Sequence, residues 1–540
     1  MSTLGILIRQ RLRRDRVQLI IWISGLALLA LFATASVTKS FGDAAGRVNI
    51  VQLAIANPSI LMLRGTPQGG GLDAFVFFEI FTFIALLAGL MSTFMAVRHS
   101  RAEEESGRAE LIASTPAART MPTVATIVYG VLVNLVLGLF VALGFMAGKM
   151  DAVGSFVAGL ATAATGIAFI AVGLLVAQFM RTSRGANGLA SALVLAAYIF
   201  RGIGDALGTP SADHLHVTPA WWSWISPIGW GQATQAYTGN KLVPLLLSVA
   251  LAVVCLAVVF VLQARRDSGA SLLAGSTARA DARSTLSGSL GLAWRLQWPT
   301  IVGWSIGGAL TGLLSGTLSK AISQATSADP ALQKIVAGLV PGGHGTLTQI
   351  FISAIFIIVG VLAAACATQV VIRMRQEEVG GTAELLLATP VSRLRWMVGY
   401  LVVGVVAIVL VLASAAIASG LSALSTDASA GSFGDSFQAA VAQLPAALVY
   451  LAVLSLLFVL LPSRVIGLGW AALGVGAIFG VFGGLIGLPD WVRNISPFTH
   501  SPVPVGTSTD WSGGVWMLGI AVVAAVLAAV GMRRRELSST

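Results

Sequence analysis

Two polar stretches of the chain read RAEEESGRAELIASTPAART, from Arg101 to Thr120, and RQEEVGGTAELLLATPVSRL, from Arg375 to Leu394. Aligned at a shift of 274 residues without a gap, both contain two acidic residues, a glycine, a further glutamate, a short apolar patch, Thr-Pro and an arginine. Self-similarity of this kind indicates an internal duplication. Each stretch follows a long apolar run, so the duplicated module includes membrane spans.

The composition around these two stretches is that of a membrane protein. Hydrophobic residues make up 56% of the 540 positions and charged residues only 10%, whereas a soluble chain carries about 25% charge. The net charge of +11 comes from arginines clustered between apolar runs. That distribution follows the positive-inside rule and does not favour nucleic acid as a partner.

The apolar runs are long enough to cross the hydrocarbon as helices. We predict twelve spans, near 17–38, 73–97, 121–147, 153–180, 186–204, 241–263, 299–319, 346–372, 396–422, 440–461, 465–488 and 513–532. If the amino terminus lies in the cytoplasm, 24 of the 33 basic residues fall in the segments between spans or at the termini on the cytoplasmic side. We therefore expect a multi-pass protein of the bacterial plasma membrane with both termini in the cytoplasm.

The duplication extends over the whole chain. The segment 264–290 is rich in Ser, Gly and Arg, as flexible linkers are. It separates a first module at 1–263 from a second at 291–540, and the predicted fold class is an all-α integral membrane protein of about 12 transmembrane helices in two tandem six-helix modules. WWSWISPIG at Trp221–Gly229 and WVRNISPF at Trp491–Phe498 also match between the modules.

The repeated polar stretch favours a protein-docking helix. A short helix with acidic residues beside an apolar edge, directly joined to two membrane helices, would give another protein a rigid binding surface. The alternative is a solvated loop whose arginines anchor lipid headgroups. Arginine anchors do not explain why the acidic pair, the glycine and the proline recur at identical spacing.

The second stretch, EEVGGTAELLLATPVSR at Glu377–Arg393, resembles the cytosolic loop between helices two and three of ABC-2 type export permeases. The fused double module is similar to the type V exporter-like permeases of actinobacterial polyketide-antibiotic and multidrug exporters. In that family the loop carries a coupling helix that docks on a nucleotide-binding subunit. The first copy departs from the pattern, with Ile-Ala-Ser at 112–114 where the second has Leu-Leu-Ala at 386–388.

The resemblance implies roles for particular residues. It assigns ATPase coupling to Glu103, Glu104, Gly107, Glu110, Pro116 and Arg119, and to Glu377, Glu378, Gly381, Glu384, Pro390 and Arg393. It assigns an amphipathic elbow helix before the first span to Arg9, Arg11, Arg13, Arg14 and Arg16, which would reach lipid headgroups. It also implies outer re-entrant elements at Trp221–Trp230 and Trp491–Phe498, for which an interfacial aromatic belt is the alternative.

The chain has no G-x-x-x-x-G-K-[ST] phosphate loop. We therefore expect no catalytic residues here, and ATP hydrolysis with Mg²⁺ in a partner subunit. Two loops imply two copies of a nucleotide-binding ATPase subunit on one permease chain. The expected function is export of a hydrophobic or amphipathic compound such as an antibiotic, drug or polyketide, although a lipid would suit the apolar spans equally.

Few ionisable residues interrupt the spans. Glu79 is a candidate for the substrate pathway, since charge within a span is costly, but it could also lie near the outer interface. We interpret Arg201 and Asp205 as a paired interfacial bend, and Asp213-His214-Leu215-His216 as a loop without metal. The alternative functions are an ion-coupled secondary transporter, which would show ionisable residues at midplane, and a membrane scaffold or sensor, which needs no paired acidic loops.

Overall fold

The computed structural model describes residues 3–114, 118–265, 288–328, 346–425, 431–483, 488–505 and 508–535. The chain separates into two compact units, Met1–Ala278 and Arg279–Thr540. The division falls within the predicted linker at 264–290, of which residues 266–287 lie outside the described part.

The first unit is built from helices joined by short connections. Its helices are α1 (Thr3–Ser40), α2 (Ala44–Ala56), α3 (Pro58–Arg64), α4 (Leu72–Arg98), α5 (Arg101–Glu105), α6 (Arg108–Ala113), α7 (Met121–Ala147), α8 (Ala152–Phe179), α9 (Ser183–Ala206), α10 (Pro227–Gln232) and α11 (Leu245–Arg265). A two-stranded antiparallel hairpin of β1 (Thr209–Pro210) and β2 (Val217–Thr218) and a 3₁₀ turn at Trp221–Ile225 follow α9. α4 and α8 lie at the centre, against α1, α7, α9 and α11.

The second unit repeats this order within the described residues. Its helices are α12 (Ser289–Ala328), α13 (Leu347–Val379), α14 (Thr382–Leu387), α15 (Arg393–Ser425), α16 (Gly431–Ala442), α17 (Leu444–Leu460), α18 (Val465–Ala477), α19 (Asp490–Arg493) and α20 (Ser512–Arg534). A π turn at Ile478–Phe482, a 3₁₀ turn at Pro497–His500 and a hairpin of β3 (Val503–Val505) and β4 (Ser508–Asp510) lie between α18 and α20.

The all-α membrane class is confirmed. Eleven helical segments of the described chain are long and apolar enough to cross a membrane. Within the described residues, the span predicted near 465–488 corresponds to the shorter apolar helix Val465–Val481, in which α18 passes into a π turn. Residues 484–487 lie outside the described part. The two hairpins were not predicted from the sequence.

The predicted elbow is not a separate helix. α1 runs unbroken through 38 residues, about 57 Å at 1.5 Å per residue, so Arg9–Arg16 form the first turns of the same helix that continues into the first span. In the second unit α12 likewise continues through Pro299. Of the elbow arginines only Arg11 is buried, while the others are exposed.

Small residues let the helices approach closely. At the crossing of α7 and α8, a Cβ on Gly138 would lie 2.5 Å from the carbonyl oxygen of Gly159. At the crossing of α12 and α15, a Cβ on Gly312 would lie 2.0 Å from the carbonyl oxygen of Ala415. Helix contact through glycine is the usual packing device in membranes, where burial of apolar surface supplies no driving force between helices.

Arg201 and Asp205 form the expected ion pair, with Nη1 and Oδ2 2.9 Å apart and both side chains fully buried. They are one turn apart within α9, which is continuous through both residues. Arg201 also donates to the carbonyl oxygen of Met62 on α3 at 2.7 Å. The pair therefore fastens α9 to the short helix α3, a helix that the sequence analysis did not predict.

The matching Trp-rich segments share one local geometry. Ser226 and Ser496 are both fully buried and both precede a proline. Each seryl oxygen accepts a hydrogen bond at 3.2 Å from the backbone N–H two residues later, of Ile228 and of Phe498. Trp221, Trp224 and Trp491 are exposed, which suits an aromatic belt, whereas Trp222 is half-buried and Trp230 is buried.

Candidate functional site

The first polar loop (residues 101–120) and the second polar loop (375–394) have the same backbone design. In the first, α5 is followed by Gly107 at φ 72° and then α6; in the second, α13 is followed by Gly381 at φ 71° and then α14. Both glycines adopt the left-handed conformation, which strains residues that carry a Cβ. The matched glycines therefore make the same sharp turn between two helical segments.

An arginine–glutamate pair lies just before each glycine. Arg101 Nη1 is 2.5 Å from Glu104, and Arg375 Nη1 is 2.8 Å from Glu378. The partners are three residues apart, which places them on one helix face. Both arginines are buried, at 2% and 4% exposure. Two of the predicted coupling acids thus lie in internal ion pairs that hold the loops in shape.

Glu103 ties the first polar loop to α1. Its carboxylate lies 3.4 Å from Arg14 Nη1 and 3.9 Å from Arg11 Nη2. The same carboxylate lies 3.5 Å from His99 Nδ1. Two predicted elbow arginines and one predicted coupling acid are therefore in contact, and the start of the loop cannot move independently of α1.

Asp15 is the centre of this contact region, and the sequence analysis missed it. Its carboxylate lies 2.5 Å from His99 Nε2 and 3.3 Å from Arg98 Nε, and accepts a hydrogen bond from the Tyr129 hydroxyl at 3.1 Å. Asp15 is the single acid among the arginines at the start of α1. The signal in the sequence was therefore the position of one acid within a run of arginines, four residues after Arg11.

The second polar loop is tied instead to the end of α20. Arg535 Nη2 lies 2.5 Å from Glu378 Oε1, and Arg393 donates to the carbonyl oxygen of Arg535. The Arg535 guanidinium also lies over the Phe458 ring, 4.5 Å from its centroid. Glu377 is 7% exposed, and its Oε1 lies 3.7 Å from Arg373 Nε.

The exposed surface of each loop includes a Glu-Leu pair at equivalent positions. Leu111 is 71% exposed beside the exposed Glu110, and Leu385 is 75% exposed beside the exposed Glu384. A single exposed leucine is common on protein surfaces. These two stand out because they recur at equivalent positions of the duplicated loops. Arg119, Pro390 and Arg393 are exposed at the same loops, and Pro116 lies outside the described residues.

Glu79 is separate from both loops. It forms an ion pair with Arg64, the last residue of α3, and its side chain is 17% exposed. The Arg64 carbonyl oxygen accepts a hydrogen bond from Thr82 at 3.0 Å. The charge of Glu79 is thus compensated by the segment that precedes α4. Its predicted place in a substrate pathway stays a prediction.

The histidine cluster lies at the tip of the β1–β2 hairpin. His216 Nδ1 is 3.0 Å from Asp213 Oδ2. The Ser211 hydroxyl also donates to the Asp213 carboxylate and lowers the pKa of that carboxyl. The described residues contain no group of three or more side chains that could hold a metal ion.

Comparison with known proteins gives the family. The family model described as "Multidrug efflux system permease Rv1217c, C-terminal domain" matches residues 8–263 and 286–533. The chain belongs to this family. It is 34% identical over 538 residues to the "Multidrug efflux system permease protein Rv1217c" of Mycobacterium tuberculosis (strain ATCC 25618 / H37Rv), an alignment that covers 99% of this chain and 95% of the relative.

The family settles the general part of the sequence interpretation. The chain is a multi-pass membrane permease related to a multidrug efflux system, as its apolar helices also indicate. It is a transport component, and the two matched segments lie on either side of the segment 264–285. The paired polar loops described above lie one in each segment.

Proposed function

We propose that this permease is the membrane subunit of an ABC-2 type exporter, driven by two copies of a separate ATPase subunit. One copy docks on the first polar loop and the other on the second. ATP and Mg²⁺ are held by those subunits, and the permease carries a hydrophobic or amphipathic compound out of the cell.

The observation that supports docking is the pair of exposed leucines, Leu111 and Leu385, each beside an exposed glutamate. They lie 274 residues apart, in the same turn geometry after a left-handed glycine. A duplicated, rigid and partly apolar face suits two copies of one partner. The docking role is favoured by the recurrence of this pair in both copies, not by one exposed leucine alone.

Each loop is arranged so that a force from the ATPase subunit can reach the membrane helices. The Arg101–Glu104 and Arg375–Glu378 pairs lock the turn before the exposed face. The first loop directly joins α4 to α7, and the second joins α13 to α15. In each loop, a force on the exposed leucine would reach the preceding membrane helix through the turn at Gly107 or Gly381. The excess of basic residues on the loop side supports a cytoplasmic location for both loops and both termini.

The substrate class follows from the relative and the spans. The Mycobacterium tuberculosis relative is named as part of a multidrug efflux system. Within the described spans, the intramembrane charges Glu79 and Arg201 are paired by neighbouring residues. A substrate that meets mainly apolar walls is itself hydrophobic or amphipathic.

Photo-crosslinking tests the docking surface directly. A photoreactive phenylalanine analogue replaces Leu111 or Leu385 in the full-length chain, which is co-expressed with a candidate ATPase subunit. Trp491, which is 72% exposed at the opposite end of the second unit, is the matched control position. We expect an adduct of permease plus ATPase mass from both loop positions and none from the control. Equal yields at all three positions would contradict docking at the loops.

A transport assay separates the alternatives. In proteoliposomes, the exporter needs ATP and the partner subunit, and efflux is unchanged when the proton and sodium gradients are collapsed. An ion-coupled secondary transporter gives the reverse result. A scaffold or sensor component moves no substrate under either condition.

A further inference from the structure

A cavity of about 160 Å³ lies between the first turns of α1 and the first polar loop. Its walls include Leu7, Arg11 and Arg14 of α1, and Glu103, Arg108 and Leu111 of the loop. The volume is several times what a single water needs. Both α1 and the loop contribute charged side chains and one leucine to its lining, so a suitable occupant carries both a polar and an apolar part.

The charges around the cavity do not balance. Three guanidinium groups, of Arg11, Arg14 and Arg108, face one carboxylate, that of Glu103. Arg14 lies 3.4 Å from Glu103, while Arg11 is at 3.9 Å. The cavity therefore carries an excess of two positive charges, which favours an anion.

Arg11 provides a second and independent indication. It is 4% exposed, its Nη2 donates to the Pro122 carbonyl oxygen at 3.0 Å, and its Nη1 has no hydrogen-bond partner among the described residues. A buried guanidinium nitrogen without an acceptor is costly. An oxyanion in the cavity would supply the acceptor.

We propose that this cavity binds a phosphate group, and that the phosphate is the headgroup of an anionic phospholipid. Guanidinium groups recognise phosphate oxygens with paired hydrogen bonds. Basic pockets beside membrane helices bind anionic headgroups. Ile6 and Leu12, on the same turns of α1, are 52% and 46% exposed, as expected of a helix end that lies against lipid.

The bound headgroup would bridge Arg14 on α1 and Arg108 on α6. It thereby fixes the short helix that carries the exposed Leu111. The site belongs to the first unit alone, because the position equivalent to Arg108 in the second polar loop is Thr382. The second loop is instead fastened by Arg535, through its ion pair with Glu378.

Native mass spectrometry of the full-length chain in detergent tests the site without any ATPase. Delipidated protein is titrated with phosphatidylglycerol, and separately with inorganic phosphate. We expect Arg14→Gln/Arg108→Gln to weaken binding of the first phosphatidylglycerol by at least about tenfold. The control Arg533→Gln/Arg534→Gln removes the same charge from exposed positions at the end of α20, and should change this binding by less than about twofold.

Two further arms identify the ligand and guard against misfolding. Arg14→Lys/Arg108→Lys keeps the charge and should retain most of the binding, with an unchanged elution volume in size-exclusion chromatography. If inorganic phosphate alone binds and depends on the same two arginines, the phosphate site stands and its source is soluble. Equal losses in the Gln pair and the control pair, or no binding of either probe, would overturn the proposal.

Discussion

Glu378→Ala is the substitution most informative about how the second polar loop is held. The carboxylate of Glu378 is 2% exposed and lies between Arg375 at 2.8 Å and Arg535 at 2.5 Å. Its removal leaves two guanidinium groups without their shared counter-ion. Breaking a buried ion pair by removing one partner costs about 3–5 kcal/mol.

The expected loss lies at the lower end of that range. Arg535 is the residue after α20 and can turn its guanidinium towards water, whereas Arg375 is 4% exposed within α13. We therefore expect a loss of about 3 kcal/mol, which corresponds to a fall in Tm of about 6–12 °C for a unit of this size. Glu384→Ala, six residues further on and exposed, should change the stability by less than about 0.5 kcal/mol.

The assay is thermal unfolding of the full-length chain in detergent, followed by fluorescence-detected size-exclusion chromatography. A double-mutant cycle with Arg535→Gln isolates the pair, since that arginine contributes little once Glu378 is absent. If Glu378→Ala and Glu384→Ala lowered Tm by the same amount, the loop would not depend on this ion pair and the reasoning would be refuted.

Three further predictions concern the membrane helices. Gly312→Ala places a Cβ 2.0 Å from the Ala415 carbonyl oxygen, and should lower the free energy of unfolding by about 1–3 kcal/mol in thermal unfolding. The control Gly303→Ala meets no atom within 4 Å and should be neutral or slightly stabilising. Equal effects of the two substitutions would argue against close packing of α12 and α15. Asp205→Asn leaves the fully buried Arg201 without its counter-ion and should reduce the yield of monodisperse protein severalfold. The control Asp213→Asn, in an exposed hairpin, should not change the yield. A normal yield for both variants would show that the Arg201–Asp205 pair does not stabilise the fold. Glu79→Gln removes the partner of Arg64 and should lower Tm, and the double variant Arg64→Gln/Glu79→Gln should recover part of that loss. If the double variant were no more stable than Glu79→Gln alone, the ion pair with Arg64 would not explain the charge of Glu79.

The parts of the site that depend on local sequence could be predicted. The spacing of the repeat placed Gly107 and Gly381 at equivalent turns, and both have φ near 70°. It also aligned Leu111 with Leu385, and the structure shows that both are exposed. Turn geometry and helix faces are set by residues a few positions apart, so a matched pattern predicts matched structure.

The parts that depend on distant residues could not be predicted. Asp15 meets His99 and Tyr129 across 84 and 114 residues of chain, and Arg535 meets Glu378 across 157. A single sequence gives no measure of which distant charges come together. For the same reason the acids Glu104 and Glu378 were assigned to an exposed docking face, although the structure places both in internal ion pairs.

Helix continuity was the other limit of the sequence analysis. Hydropathy marks where a helix meets lipid but not where it ends, so α1 was divided into an elbow and a span although it is one helix of 38 residues. In the second unit, α12 likewise continues through Pro299. Proline near the start of a long helix is tolerated when the surrounding contacts hold the segment.

The central claim is that each polar loop docks one ATPase subunit through its Glu-Leu face. Native mass spectrometry of the co-expressed complex counts the ATPase subunits bound to one permease chain. We predict two for the unmodified chain, one for Glu110→Lys/Leu111→Asp, one for Glu384→Lys/Leu385→Asp, and none when all four substitutions are combined. Two subunits retained on the fourfold variant would contradict the claim.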